Sequence, residues 1–265
     1  MRPGVMGVLN VTPDSFSDGG RYLDPEAALA HGLAMARAGA DVVDVGGESS
    51  RPGAEPVDEA EELRRVVPVV EALAGHVRVS VDTTKRAVAE AAVAAGATLV
   101  NDISASLWPV AAEAGVGWVA MHMQGSPRTM QEAPAYGDVV AEVGAFLADR
   151  ARAATEGGVA EVWVDPGIGF GKTAAHNLAL LRHLPALAAQ GHPVLVGTSR
   201  KSFLGRVGAP AGADPLGVED RRAGSLATAT WAMLAGASMV RVHDVASTVE
   251  AATLVGGTRL AGVGA

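Results

Sequence analysis

The chain has 265 residues, 49% of them hydrophobic, with a formal net charge of −8 at pH 7 and no cysteine. The charge argues against a protein that wraps nucleic acid, and the lack of cysteine excludes disulfides and thiolate-bound metals. No apolar run is long enough to span a bilayer and the N-terminus lacks a secretory signal pattern, so we expect a cytoplasmic protein without a membrane partner.

Short apolar runs alternate with helical segments along the whole chain. After the first run, "VMGVLNV", one phrase recurs: a helix-like stretch, a glycine-containing turn and a β-branched run. Its five copies are "MARAGADVVDVGG", "VAAGATLVNDIS", "AEAGVGWVAMHM", "TEGGVAEVWVDPG" and "MLAGASMVRVHDV". The glycine stands where a helix C-cap belongs, and the run that follows predicts a strand. "VRVSVD" and "PVLVGTS" bring the predicted strands to eight.

These strands are almost continuously hydrophobic, as parallel strands covered on both faces are. Eight strand–helix units in about 250 residues predict a (β/α)8 TIM barrel, as a single domain over residues 1–265. A doubly wound open sheet is the alternative, but no glycine-rich turn follows the first strand. The segments after the first two strands, "TPDSFSDGGRYLD" and "ESSRPGAEPVD", are long, and we predict mobile loops that order around a ligand.

Every predicted strand ends in polar or charged side chains, which a barrel collects at one rim. Several of them interrupt apolar runs, as in "SVDTT" and "VRVHDV", so we interpret the set as a functional site rather than as solvated strand ends. From the first strand to the eighth they are Asn10; Asp44 and Glu48; Asp82; Asn101 and Asp102; His122; Asp165; Ser199, Arg200 and Lys201; and Arg241, His243 and Asp244.

Arg51, Arg241 and His243 predict an anion pocket. The Arg51 guanidinium offers a bidentate fork, while Arg241 and His243 are two residues apart on a strand and point to one side. On an acidic protein such a pocket indicates a phosphorylated or pyrophosphorylated substrate, with Asn10 as an oxygen ligand for a shared Mg²⁺.

Other strand-end residues suit a flat heterocycle with amide and amine edges. Asp82, Asn101 and Asp165 offer acceptors for ring N–H groups, although each alone could be an internal buried hydrogen bond. "DPGIGFGKT" fails the spacing of nucleotide-binding loops, and we interpret it as a glycine-rich connection that exposes Phe170. We interpret Met121 as barrel filling that can touch a ring, and "RRAG" as a solvated helix face.

Eight motifs in order resemble the dihydropteroate synthase family, from Met6 to about Glu250. They are "MGVLNVTPDSFSDGG", "DVGGESSRPGA", "SVDTTK", "NDIS", "MHMQGSPRTMQ", "DPGIGFGKT", "SRKSFLG" and "RVHDV". The resemblance implies a barrel enzyme that joins 6-hydroxymethyl-7,8-dihydropterin pyrophosphate to p-aminobenzoate by a largely dissociative displacement, without a dedicated base. It also implies Mg²⁺ as cofactor and a homodimer formed through the last helices.

The resemblance also implies roles for individual residues. It implies that the pterin is bound by Asp82, Asn101, Asp165, Lys201 and Met121. It implies that the pyrophosphate is bound by Ser50, Arg51, Arg241, His243 and Asn10, with the metal at Asn10. The aminobenzoate would be bound by Phe16, Pro52, Phe170 and Ser199. Catalytic roles fall to Lys201, Arg51, Asp82 and Asp18, the last as a latch for the first loop. The family usually has Thr where Ser50 stands, so the hydroxyl is kept and a methyl group is lost.

Two alternatives are weighed. A methyltetrahydrofolate-dependent corrinoid methyltransferase shares the barrel and the pterin set, but it does not need "NVTPDSFSDGG", Arg51, "SRKS" or "RVHD". A catalytically silent paralogue would have lost a residue of the loops or of the phosphate pocket, and none is lost here.

Overall fold

The computed structural model describes residues 2–12, 25–49 and 55–260. In these residues parallel strands alternate with helices. The strands are β1 (Gly4–Asn10), β2 (Val42–Gly46), β3 (Arg78–Asp82), β4 (Leu99–Asp102), β5 (Gly117–Met121), β6 (Val162–Asp165), β7 (Leu195–Val196) and β8 (Met239–Val242). The helices are α1 (Pro25–Arg37), α2 (Glu59–Leu73), α3 (Arg86–Ala94), α4 (Trp108–Ala114), α5 (Val139–Glu156), α6 (Ala174–Arg182), α7 (Leu184–Ala188), α8 (Ser202–Gly208), α9 (Arg222–Leu234) and α10 (Val245–Leu260).

The eight strands form one parallel sheet in the order β6-β5-β4-β3-β2-β1-β8-β7. A bridge between Val164 and Val194 joins the two edges, so the sheet is a nearly closed barrel with the helices outside. The predicted TIM barrel is therefore confirmed. Among the described residues, none of the helices combines the length and the apolar character that a membrane crossing requires.

The turns that link helices to strands are set by the glycines of the repeated phrase. Glycine adopts left-handed backbone conformations without the steric cost that a Cβ atom imposes, which is why it ends helices. All five predicted positions have positive φ, between +67° and +112°: Gly39, Gly96, Gly115, Gly158 and Gly236. The glycines that predicted the helix ends from the sequence therefore have the left-handed backbone conformation that ends a helix.

Two apolar clusters divide the interior. The larger one fills the space between the barrel and its helices, and the smaller one fills the lower part of the barrel. Since side chains alternate along a strand, every second residue of each strand enters the barrel. On β8, Met239 belongs to the lower cluster and Arg241 follows it above; on β4, Leu99 and Asn101 stand in the same relation. The apolar lower layer thus supports a polar upper layer at the carboxyl ends of the strands.

Candidate active site

An ion-pair network occupies the mouth of the barrel. Arg241 donates from Nε to Asp44 Oδ2 at 2.6 Å and from Nη2 to Asp82 Oδ2 at 2.8 Å. Asn101 Nδ2 donates to the same oxygen of Asp44 at 2.9 Å. The strand register places Asp82 beside Asn101 on β4, one interior layer above Asp44. Side chains from β2, β3, β4 and β8 therefore form one network around the partly buried guanidinium of Arg241.

Burial and charge set the ionisation of this network. Asp44 is fully buried, and the Asp82 side chain keeps 16% of its surface exposed. Burial raises the pKa of Asp82 to about 7, with Arg241 opposing the rise and the Asp44 carboxylate adding to it. Burial disfavours the charged form of Arg241, but the two carboxylates outweigh it and raise the pKa of the guanidinium. Asp82 is thus balanced between its two forms near neutral pH.

The opposite wall holds a second charged pair, Asp165 and Lys201. Burial raises the pKa of Asp165, against the attraction of Lys201, and it lowers the pKa of Lys201 to about 8. Lys201 Nζ donates to the carbonyl of Ile168 and lies 4.6 Å from the centre of the Phe170 ring. This wall joins a cation, a carboxylate and an aromatic face, which suits a planar aromatic ligand.

The loop that carries Phe170 is tied down by a buried lysine. Lys172 is 2% exposed, and its Nζ donates to the carbonyls of Gly167 and Phe170 at 3.0 Å and of His122 at 3.2 Å. The same atom lies 2.9 Å from His122 Nδ1. Burial lowers the pKa of Lys172 to about 7; burial and the nearby ammonium lower that of His122 to about 4. Gly167 has φ +64°, and a Cβ there would overlap the His122 carbonyl oxygen.

Residues 6–243 match the family described as pterin binding enzyme. The chain is also 51% identical over 261 residues to the dihydropteroate synthase of Mycobacterium leprae (strain TN), a match that covers 95% of this chain and 92% of the relative. The chain belongs to the dihydropteroate synthase family. It is accordingly a transferase, and the corrinoid methyltransferase alternative is not favoured.

Solved structures of the dihydropteroate synthase family have the same fold. The dihydropteroate synthase of Xanthomonas albilineans with 4-aminobenzoic acid superposes with a TM-score of 0.89 at 48% identity, covering 97% of this chain and 93% of that chain. The synthase of the same organism in complex with 7,8-dihydropteroate gives a TM-score of 0.85 at 46% identity, over 97% of this chain and 94% of that chain. The recognition made from the sequence motifs is confirmed.

The residues that the family resemblance singles out fall into two groups. Within the described residues, the barrel mouth holds the side chains of Asp82, Asn101, Asp165, Lys201 and Arg241. In the sheet, Met121 on β5 is paired with Asp165 on β6, and Asn10 on β1 is paired with Gly46 on β2. Ser199 joins them: its Oγ accepts from the His243 N–H at 3.2 Å and lies 3.0 Å from His243 Nδ1. Outside the described residues lie Phe16, Asp18, Ser50, Arg51 and Pro52.

Three residues have roles that sequence reasoning missed or misassigned. Asp44 was counted among the strand-end residues of the predicted site but was given no role of its own, and it connects Arg241 to Asn101. Lys172 lies in "DPGIGFGKT" and was given no role, although it is one of only three lysines in the chain, a scarcity that marked it as a residue of interest. The interpretation of "RRAG" as a solvated face is wrong for Arg221, which donates three hydrogen bonds to backbone carbonyls.

The base of the second loop is held by another buried network. Lys85 donates to both Glu48 and Glu62, and Thr83 Oγ1 donates to Glu62 at 2.7 Å. Glu48 also accepts from the backbone N–H of Val57 at 3.3 Å. Glu62 is 1% exposed, so its carboxylate depends on these partners. Glu48 therefore belongs to the support of the rim.

Proposed function

We propose that the protein is a dihydropteroate synthase that transfers the dihydropterin-methyl group from 6-hydroxymethyl-7,8-dihydropterin pyrophosphate to p-aminobenzoate and releases pyrophosphate. The observation that carries this proposal is the converging set of Asp82, Asn101, Asp165 and Lys201 around the partly buried Arg241. Structures of the Xanthomonas albilineans relative hold 4-aminobenzoic acid and 7,8-dihydropteroate, and this set of side chains suits both ligands.

The upper layer of the barrel accommodates the pterin. Asn101 donates its amide N–H to Asp44, which leaves its carbonyl oxygen to accept from a ring N–H. The carboxylate form of Asp82 accepts from a second ring donor, and Asp165 serves the opposite edge. Met121, which is buried beside Asp165, packs against the ring face. The ligand is thereby held with its methylene group toward the loops.

The pyrophosphate would bind at the rim beside Arg241 and His243; the family resemblance adds Ser50 and Arg51, which lie outside the described residues. Two of the five guanidinium N–H donors of Arg241 are engaged by Asp44 and Asp82, and the remaining donors are available to an anion. Cationic neighbours stabilise the charge that develops on the leaving pyrophosphate.

Asn10 at the end of β1 would hold Mg²⁺ together with oxygens of the substrate. The described residues contain no cluster of three or more His, Cys, Asp or Glu side chains that could form a protein-only metal cage. A single neutral oxygen ligand fits Mg²⁺, which usually keeps several waters and binds through substrate phosphates. When bound, the ion supplies further neutralisation of the leaving group.

Among the described residues, Phe170, Ser199 and Lys201 would contact the aminobenzoate. The family resemblance adds Phe16 and Pro52 to this pocket and makes Asp18 a latch for the first loop; these three residues lie outside the described part of the chain. The arylamine is a weak base that needs little deprotonation before it attacks, so orientation contributes more than a general base. Lys201 would contact both substrates, since it interacts electrostatically with Asp165 on the pterin side and its Nζ lies 4.6 Å from the centre of the Phe170 ring on the aminobenzoate side.

The enzyme acts as a homodimer joined through its last two helices. Trp231 and Leu234 on α9 are 39% and 63% exposed, and Leu254 on α10 is 72% exposed. These three side chains lie on two helices that pack against each other, away from the barrel mouth. Large exposed apolar side chains grouped in this way are typical of a subunit interface.

A turnover assay with purified protein, dihydropterin pyrophosphate, p-aminobenzoate and Mg²⁺ tests the function. We expect product only when all three are added, and a loss of at least a hundredfold in Arg241→Met, with the exposed Arg206→Met as matched control. Calorimetric binding of the pterin substrate without product formation would instead identify a silent pterin-binding paralogue.

A further inference from the structure

Between β7 and α8 the chain makes a β-turn over residues 198–201, closed by a hydrogen bond from the Lys201 N–H to the Thr198 carbonyl at 3.2 Å. Arg200, at the third position, has φ +59°, one of two positive values at non-glycine residues in the described part of the chain. Turns of this kind usually place glycine or asparagine there. An arginine in the left-handed region is strained and persists only where its surroundings hold it.

One face of α9 and of the turn preceding it holds this strained residue. Arg221, Ser225 and Thr228 are spaced by four and three residues and therefore share a helix face. Ser225 Oγ accepts from the Arg200 N–H at 2.9 Å and donates to the Arg221 carbonyl at 2.7 Å. Arg221 Nη1 donates to the Arg200 carbonyl at 3.1 Å, and Thr228 Oγ1 donates to Thr198 Oγ1 at 2.9 Å. Both backbone groups of Arg200 are thus held by the helix.

Arg221 also fixes the helix that follows the turn. Its Nε and Nη2 donate to the Leu216 carbonyl at 3.0 and 2.8 Å, and the Leu216 N–H donates to the Gly205 carbonyl of α8 at 3.1 Å. A Cβ at Gly205 would lie 2.8 Å from Arg221 Nε and 2.7 Å from the Leu216 oxygen. The guanidinium therefore packs directly on the backbone of α8, and only glycine permits that approach.

The turn carries two side chains of the site. Ser199, at its second position, meets His243, and Lys201, at its fourth, meets the Ile168 carbonyl and the Phe170 ring. A change in the conformation of Arg200 would rotate the peptide groups on either side of it. Both side chains would then move together relative to the barrel mouth.

We propose that Arg221, Ser225 and Thr228 are positioning residues for the transfer reaction, because they hold the strained 198–201 turn in the conformation that presents Ser199 and Lys201 to the substrates. This inference rests on the proposed function for its catalytic consequence. The three residues touch neither substrate, and they act through the turn.

The test compares Ser225→Ala with Thr230→Ala, which removes the same type of hydrogen bond from α9, a hydroxyl donating to the carbonyl four residues earlier at 2.9 Å. Thr228→Val, which keeps the shape of the side chain, is a second variant should Ser225→Ala fold poorly. Thermal unfolding confirms folding of each variant. The readouts are amide hydrogen exchange in a peptide covering residues 198–204 and kcat/KM for p-aminobenzoate.

We expect Ser225→Ala to speed exchange at residue 200 and to lower kcat/KM about tenfold, which corresponds to about 1.4 kcal/mol. Thr230→Ala should stay within about twofold of the starting protein in kcat/KM. Introducing Arg200→Gly into the Ser225→Ala variant should restore much of the loss, since glycine adopts positive φ without strain. This rescue is a result that a general loss of stability would not produce.

The proposal is overturned if Ser225→Ala and Thr230→Ala behave alike in both readouts, or if Arg200→Gly restores nothing. An unsubstituted protein without turnover would overturn the proposed function. The exchange comparison would still decide, in that case, whether α9 holds the turn.

Discussion

Replacing Asp44 by asparagine tests the electrostatics of the barrel mouth. The substitution keeps the shape and the acceptor oxygen that serves Arg241 and Asn101, but it removes a buried charge. The bond from Asn101 falls from the charged range of about 1.5–3 kcal/mol to the neutral range of about 0.5–1.5 kcal/mol, a stability loss of about 1 kcal/mol. The bond from Arg241 keeps its charged donor, but Arg241 retains only Asp82 as an anionic hydrogen-bond partner, which adds to the loss. The Asp44 charge contributes to the raised pKa of Asp82, and its removal also frees Arg241 to favour the carboxylate. Both effects lower the pKa of Asp82, by about one unit or about 1.4 kcal/mol.

The pH dependence of kcat/KM for dihydropterin pyrophosphate reports this shift. Because the carboxylate form of Asp82 accepts from the ring, kcat/KM should rise with pH to a plateau above about 7, and in Asp44→Asn the rise should occur about one unit lower. Asp41→Asn is the matched control, since Asp41 pairs with Arg2 at the surface. Ionisation of the substrate affects all three proteins equally. Coincident pH profiles for the starting protein and Asp44→Asn would refute the effect of the Asp44 charge on the pKa of Asp82.

The pH dependence of the free energy of unfolding gives an independent check on the pKa of Asp82. The folded state binds the proton of Asp82 more tightly than the unfolded chain does, because burial raises its pKa from 3.8 to about 7. This contribution is fully present below the unfolded value and is lost as pH rises toward the folded one. In Asp44→Asn the loss should be complete at a lower pH, measurable by denaturant titration between pH 4 and about 8.

Three further predictions follow from the site and the surface. Lys172→Met removes three hydrogen bonds to carbonyls, at about 1 kcal/mol each, and frees the Phe170 loop. KM for p-aminobenzoate should therefore rise about tenfold and KM for the pterin substrate less than twofold. Equal increases in the two KM values would contradict this role of Lys172. Leu254→Glu places a charge on the exposed apolar face and should convert the proposed dimer to a monomer in light scattering. A dimer mass that the substitution leaves unchanged would exclude α10 from the interface. Removal of Mg²⁺ by EDTA should abolish turnover, with full recovery on adding Mg²⁺ back; turnover that persists in EDTA would remove the metal from the proposal.

The fold was predictable because several local signals agree. The repeated glycine predicts where each helix ends, and the observed φ values at Gly39, Gly96 and the three later positions show why the residue is needed. The apolar runs predict parallel strands buried on both faces, and the eight strands form the barrel. The seventh strand was the least well placed: β7 ends at Val196, and the turn that carries Ser199 and Lys201 follows it.

The candidate site was predictable only in part, because strand ends are visible in the sequence and contacts between distant residues are not. Asp44, Asp82, Asn101 and Arg241 come from four different strands and lie within one hydrogen-bonded network, as the strand-end pattern predicts. Asp102, from the same predicted set, instead accepts from the backbone of the loop that follows β4. The bridge from Asp44 to Arg241 spans 197 positions, and the contact between Lys172 and His122 spans 50. Helical periodicity placed Arg221 on an outer face, but it could not show that the guanidinium turns back onto the carbonyl of Arg200.

The sharing of Arg241 between two carboxylates also bears on how the enzyme finishes its cycle. Asp44 and Asp82 already neutralise much of the charge of this guanidinium, so an anion that binds its remaining donors at the proposed site is held less tightly than it would be by an unpaired arginine. A lone arginine at the same depth would retain pyrophosphate as a tight inhibitor after the new bond has formed. If pyrophosphate binds Arg241 as proposed, the pre-existing pairs would therefore favour release of the inorganic product and weaken its inhibition of the enzyme.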